Sequence, residues 1–255
     1  MCWRISLVAL ALTGCFSPGA VEWASESERL PANEQGILEL DAQGHARLAA
    51  PAREVRAPRP LNLCPGSLRM TGFGSTWYAV WWSRRTNGVD LSVGKTVDSG
   101  RTWAPPLIAD GMDRGTLGCT RPAPAIAFDT VTGNVHLAYY SEPADGAGIF
   151  FVHSMDHGGM FHSPVAVLYG TRPVAAAVAG VADTVIVAYE DPNSSPQAIG
   201  VAISRTTGHI FEERQQLSGV NVAATAPQVA LRMPHVAVGW REDNAFVVRG
   251  GTMHR

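Results

Sequence analysis

A short turn occurs three times in this chain of 255 residues. Thr96-Val97-Asp98-Ser99-Gly100-Arg101-Thr102-Trp103 returns as Ser154-Met155-Asp156-His157-Gly158-Gly159-Met160-Phe161. A third copy, Ser204-Arg205-Thr206-Thr207-Gly208-His209-Ile210-Phe211, has Thr206 where the acid stood. The spacing has a physical logic. The carboxylate of Asp98 or Asp156 accepts hydrogen bonds from the turn's own amides, Gly100, Gly158 or Gly208 supplies a positive φ, and Trp103, Phe161 or Phe211 packs into the adjoining core. A turn of eight residues recurring at similar intervals implies a repeated hairpin, and so a repeated structural unit.

The pattern resembles the Asp-box, or BNR repeat, of sialidase-like β-propellers, S/T-x-D-x-G-x-x-W. The rest of the chain repeats with it. Four segments begin alike at Cys64-Pro65, Arg121-Pro122, Arg172-Pro173 and Ala226-Pro227. Each is followed by a second apolar run ending in aromatics, at 77–82, 135–140, 185–189 and 235–240, and then by a third, at 91–95, 149–153, 199–203 and 246–249. Short β-branched and aromatic runs between regular turns read as all-β, about four strands per unit of roughly 50 residues, which is the size of a propeller blade. The expectation is therefore a β-propeller of about four blades of four antiparallel strands. The fourth unit lacks its last strand, and Ile37 to Leu40 or His45 to Leu48 is expected to close it from the N-terminus. A fifth blade is expected only if residues 36 to 62 hold a degenerate one.

Residues 1–14 read as a lipoprotein signal peptide, with Arg4 before the apolar stretch Ile5 to Leu12. Leu12-Thr13-Gly14-Cys15 resembles the lipobox of bacterial lipoproteins, which implies lipid on Cys15. The other reading, a transmembrane anchor, needs roughly 20 apolar residues. Phe16 after the cysteine favours the outer membrane if the cell has one. Residues 15–35 then read as a lipidated tether and 36–255 as the propeller. Cys64 and Cys119 remain as one pair, expected to form a disulfide in an oxidising compartment. With 16% charged residues and a net charge of −2, nucleic acid is not an expected partner; no cofactor is expected.

Asp-box hairpins sit on one rim of a propeller, so first strands begin and second strands end on the other. The resemblance to sialidases implies that substrate binds on that opposite rim. Arg121 and Arg172 open first strands there, and Trp82, Tyr140, Tyr189 and Trp240 end second strands, followed by Glu142, by Glu190-Asp191 and by Arg241. Guanidinium forks and ring faces suit an acidic sugar. Arg121, Arg172, Arg241, Trp82 and Trp240 are the candidate ligand-binding residues. Tyr140 with Glu142, or Tyr189 with Glu190 and Asp191, are candidate catalytic groups, because sialidases use a tyrosine nucleophile, a glutamate base and an aspartate acid. The competing reading makes the arginines ordinary ion-pair partners of these acids.

The family's Arg-Ile-Pro signature is absent and the chain is shorter than a six-bladed catalytic domain. The leading expectation is accordingly an envelope-anchored lipoprotein whose propeller binds a glycan or an envelope protein. A glycoside hydrolase acting on acidic sugars is the alternative, and a scaffold for envelope assembly a third reading. His153, His157 and His162 cluster around the second turn, but strand alternation is expected to scatter their directions, and no metal is assigned.

Overall fold

The structure is a computed structural model that describes residues 19–31, 36–50 and 55–254. Cys15 and the signal sequence lie outside the described residues. Apart from one turn of 3-10 helix at Gly118–Thr120, the described residues form strands and loops. The first four strands are β1 (Val21–Trp23), β2 (Glu28–Pro31), β3 (Ile37–Leu40) and β4 (Ala46–Ala49). Three antiparallel meanders of four strands follow. They are β5 to β8 (Arg69–Phe73, Thr76–Arg85, Gly88–Thr96, Leu107–Asp110), β9 to β12 (Ala125–Phe128, Val135–Ser141, Gly148–Ser154, Val165–Tyr169) and β13 to β16 (Ala176–Val181, Thr184–Glu190, Ile199–Ser204, Glu213–Gln216). The last sheet contains β17 (Ala224–Arg232), β18 (His235–Glu242) and β19 (Ala245–Met253).

This fourth sheet is completed from the N-terminus, but not by the segments the sequence suggested. β1 pairs with the end of β19, Val21 opposite Met253, and β2 pairs with its beginning, Glu28 opposite Val248. Both strands fall inside the stretch read as a tether. Ile37 to Leu40 and the segment after it instead form their own two-stranded hairpin, β3–β4, which packs against β17 and β18. β19 buries Phe246, Val247 and Val248 near its start, and Leu38 and Leu40 of β3 pack against Phe246 and Val248 on the face of that sheet rather than along its edge.

Period-two alternation distributes the cores. On β10, Val135, Leu137 and Tyr139 face the first sheet, where they meet Tyr78, Val80, Trp82, Leu91 and Val93. Ala138 and Tyr140, on the other face of β10, meet Val185, Val187 and Tyr189 of the third sheet. Ile186 and Ala188 face the fourth sheet, and Ala237, Phe246 and Val248 face Leu38 and Leu40 of the hairpin. The first three of these interfaces lie between sheets consecutive in the chain, and the last joins the fourth sheet to the hairpin near the N-terminus. Middle strands are thus buried on both faces and lose the alternation of a half-exposed strand, so β10, β11 and β15 are buried at every position.

First strands are built differently. β13 reads Ala-Ala-Val-Ala-Gly-Val and β9 alternates Ala125 and Ala127 with Ile126 and Phe128, and the small side chains let β13 approach both β9 and β17. Residues of β3, β5, β9, β13 and β17 all line one cavity of about 570 Å³. The far face of the first sheet is covered by the arginine–proline segment 55–60, whose Arg56 carbonyl accepts a hydrogen bond from Trp103 Nε1 at 3.0 Å.

In the three turns the hydroxyl and the acid, or its threonine replacement, bond the turn's own amides, and Phe161 and Phe211 pack on the core while Trp103 lies against the segment 55–60. Thr96 Oγ1 donates to Asp98 Oδ1 at 2.7 Å and accepts from the Gly100 amide at 3.1 Å, while Asp98 also takes the Thr102 amide and hydroxyl. In the second turn Asp156 Oδ1 accepts from Ser154 Oγ, Gly159 N and Met160 N. The third turn replaces the carboxylate by the Thr206 hydroxyl, which accepts from Ile210 N at 3.0 Å. The glycines have positive φ, 83°, 79° and 87°. They are also points of close approach, since a Cβ at Gly158 would lie 2.8 Å from the Tyr78 ring and one at Gly208 2.0 Å from Phe151. Each of these two turns therefore clamps onto an aromatic of the preceding sheet.

Candidate ligand-binding site

The site residues named from the sequence stand at or beside the ends of β6, β10, β14 and β18 and at the approaches to β9 and β13, each sheet holding its own set. Most of them face their neighbours across the sheets. Arg121 has a fully buried side chain that forks onto Asp113, with Nη2 3.1 Å from Oδ1 and Nη1 on Oδ2. Asp113 also accepts from Ser141 Oγ at 3.2 Å, Glu142 N at 2.9 Å and Gly115 N at 3.2 Å. The guanidinium lies 5.0 Å over the Trp82 ring and 3.7 Å from Glu142 Oε2. Trp82 is itself buried, its Nε1 donating to the Pro122 carbonyl at 2.9 Å. The ion-pair reading of Arg121 is what the geometry shows. Removing one partner of such a pair would strand the other in a dry site, which typically costs 3–5 kcal/mol.

The other candidates are similarly occupied. Arg172 Nη2 donates to the carbonyls of Asp191 and Ser194. Trp240 is buried with Nε1 2.8 Å from Glu242 Oε1, and Arg241 is half-buried on β18 opposite Phe246. Glu190 joins the third sheet to the fourth, accepting from Ala175 N, Gln197 Nε2 and Ala226 N. Asp191 Oδ1 caps the Asn193 amide. The Tyr140 hydroxyl donates to the Thr171 carbonyl at 2.8 Å, and burial, then the Glu142 charge, raises its pKa. Burial, then the Asp191 charge, pushes Tyr189 up to about 12. A nucleophilic tyrosine needs the reverse shift, so both phenols are held protonated.

Two cavities lie near these residues. The mouth between first strands, about 470 Å³, is lined by Ala123, Ala125, Ala175 to Ala177, Ala226 and Gln228 among others, with Arg69 the one charged side chain and no carboxylate among the lining residues. Gln228 is committed to the hairpin, accepting from Leu38 N at 2.7 Å and donating to the Gly36 carbonyl at 3.1 Å. The second cavity, about 620 Å³, lies between the β6–β7 turn and the loop 114–119, and Arg84, Arg85 and Arg114 line it with no carboxylate among the lining residues. Arg85 Nε is held 3.2 Å from Asp90 outside the lining. Arg114 Nη1 is anchored on the Gly111 and Asp113 carbonyls. Arg84 reaches Cys119 Sγ at 3.5 Å, beside the disulfide to Cys64. Arg84 and Arg114 are exposed, so their remaining N–H groups face solvent.

Arg84, Arg85 and Arg114 are not among the binding residues that the sequence singled out. The available signal was the run Asp110-Gly-Met-Asp-Arg-Gly before Cys119, a loop too rich in turn residues and charge to be a plain connection. The histidines also regroup. His157 leaves the cluster, its ring over Gly133, and His209 of the third turn joins His153 and His162.

An all-β fold of several four-stranded antiparallel sheets, with the Asp-box turns following β7, β11 and β15, is consistent with a sialidase-like propeller. No family model and no curated protein matches the chain. Among solved structures it is similar to the NanB sialidase of Streptococcus pneumoniae, at 10% identity and a TM-score of 0.51, over 80% of this chain and 52% of that one. The chain thus spans about half the length of that sialidase. It is also similar to the GH62 α-L-arabinofuranosidase catalytic domain of Coprinopsis cinerea, at 12% identity and a TM-score of 0.47, over 84% of this chain and 68% of that one. An exo-1,5-α-L-arabinanase from a bovine ruminal metagenomic library matches at 11% identity and a TM-score of 0.47, over 81% and 86%.

Proposed function

We propose that this chain is a carbohydrate-binding propeller, held in a bacterial envelope by lipid on Cys15, which receives an acidic sugar in the cavity of Arg84, Arg85 and Arg114. The observation that carries the reading is three guanidiniums lining one cavity of about 620 Å³ with no carboxylate among its lining residues. Forked N–H donors of this kind match a sugar carboxylate. The likeness to a sialidase supports carbohydrate as the ligand class. In this reading the ring has five units, the β3–β4 hairpin being a degenerate fifth, which fits its place beside β17 and its share in the cavity between first strands.

The same likeness favours a second reading, glycoside hydrolysis of acidic sugars. Against it stand the buried, hydrogen-bonded Tyr140 and the mouth without a carboxylate. One experiment separates the two. The full-length chain is titrated with N-acetylneuraminic acid and glucuronic acid by calorimetry, and offered a fluorogenic sialoside in parallel. Saturable binding that weakens by about tenfold in Arg84→Ala and Arg114→Ala, without turnover, is expected. Turnover would establish the hydrolase, and neither binding nor turnover would remove both.

A further inference from the structure

His153 stands near the end of β11, 2% exposed, on the face toward the third sheet. The turn that follows folds the chain back so that the His162 amide donates to the His153 carbonyl at 2.9 Å. This backbone bond sets the two imidazoles face to face, their centroids 4.5 Å apart and their planes within 11°. The third turn, on the neighbouring sheet, brings the His209 ring to 4.8 Å from His153 and 5.5 Å from His162, nearly perpendicular to both. One ring nitrogen from each lies within 4.8 Å of the other two.

Two details concern the nitrogens themselves. His209 Nδ1 sits 2.6 Å from the Thr206 carbonyl oxygen. A carbonyl only accepts, so Nδ1 carries the proton and Nε2 presents its lone pair, the orientation that a backbone carbonyl gives a metal-binding imidazole. His153 Nε2 is buried and has no hydrogen-bond partner, an arrangement that is costly unless another group meets it.

We infer that His153, His162 and His209 bind a divalent transition-metal cation of the zinc class and thereby clip the second sheet to the third. Three imidazoles with no carboxylate among them suit zinc, nickel or copper and not magnesium or calcium. Tetrahedral coordination at 2.0–2.1 Å requires nitrogens about 3.3 Å apart. The half-buried His162 and the exposed His209 can close that gap by rotating toward the fixed His153.

The test uses the full-length chain made without a histidine tag and stripped with chelator. Titration with Zn2+ by calorimetry is expected to give one equivalent per chain, with a rise in thermal midpoint. Co2+ is expected to show the visible absorption of a four-coordinate nitrogen site. His162→Ala and His209→Ala, both outside the buried core, should each weaken Zn2+ binding by about tenfold or more and abolish the thermal shift. Absence of saturable binding by the parent chain, or binding equally tight in both variants, would overturn the inference.

Discussion

His136 shows how a single side chain records its surroundings. It is fully buried, both ring nitrogens lack a hydrogen-bond partner, and it stacks on Phe151 at 5.9 Å. Burial lowers its pKa to about 4, opposed only by the charge of Asp129. An unfolded histidine titrates near 6.5, so below that pH the unfolded chain binds a proton that the folded chain refuses. Stability from this group is therefore complete above about pH 6.5 and lost as pH falls toward 4; His153, facing His162, His209 and His136, adds a second such loss reaching to about 3. His136→Leu is expected to raise stability at neutral pH by on the order of 1 kcal/mol, because two stranded polar atoms are removed. It should also roughly halve the pH dependence of the denaturation midpoint between pH 6.5 and 4, and an unchanged slope would show that the imidazole is not the titrating group. Nothing local signals this, since an isolated histidine on a strand looks the same whether it meets water or a ring of the next sheet.

At the scale of the element, the fourth sheet depends on strands from far away in the chain. β19 runs nine residues and is covered along its outer edge by β1 and β2. A chain beginning at residue 36, the boundary that repeat analysis suggests, would leave that edge open beside buried Phe246 and Val247. Open apolar edges recruit other chains. Such a truncation is expected to elute as aggregate and to lose cooperative thermal unfolding, whereas a truncation before residue 19 should keep both; size exclusion and circular dichroism report the difference. The middle and third strands, β6, β7, β10, β11, β14, β15 and β18, were legible from apolar runs ending in aromatics, and the Asp-box turns from their spacing. β1 and β2 were not, because Glu22, Glu28 and Arg29 lie on an exposed outer edge where polar residues are as acceptable as in a linker.

The whole molecule is held by interfaces between consecutive sheets and by one covalent bond across them. Cys64 and Cys119, with Cα atoms 5.2 Å apart, close a loop of 55 residues between the start of the first sheet and the approach to the second. Restricting the unfolded chain by such a loop contributes about 4 kcal/mol. Replacing both cysteines by serine is expected to lower the thermal midpoint by about 10 °C, and adding reductant to the parent chain should reproduce the shift. A double variant as stable as the parent would show that the ion pair of Arg121 and Asp113 beside it suffices to hold this part of the rim.

The features legible along the chain were local and periodic. Turn chemistry, apolar period and repeat length each depend on residues close together, and they specified all-β units with Asp-box turns and a pairing of Cys64 with Cys119. The tertiary structure decided which side chains meet across units. It spent Arg121, Arg172, Glu190 and Tyr140 on intramolecular bonds, left Arg84, Arg85 and Arg114 around one cavity, and brought His209 to His153 from another sheet. Facing between sheets depends on the rotation of one sheet against the next, a quantity set by the packing of whole cores such as Trp82, Leu137 and Tyr139, which no run of neighbouring residues encodes.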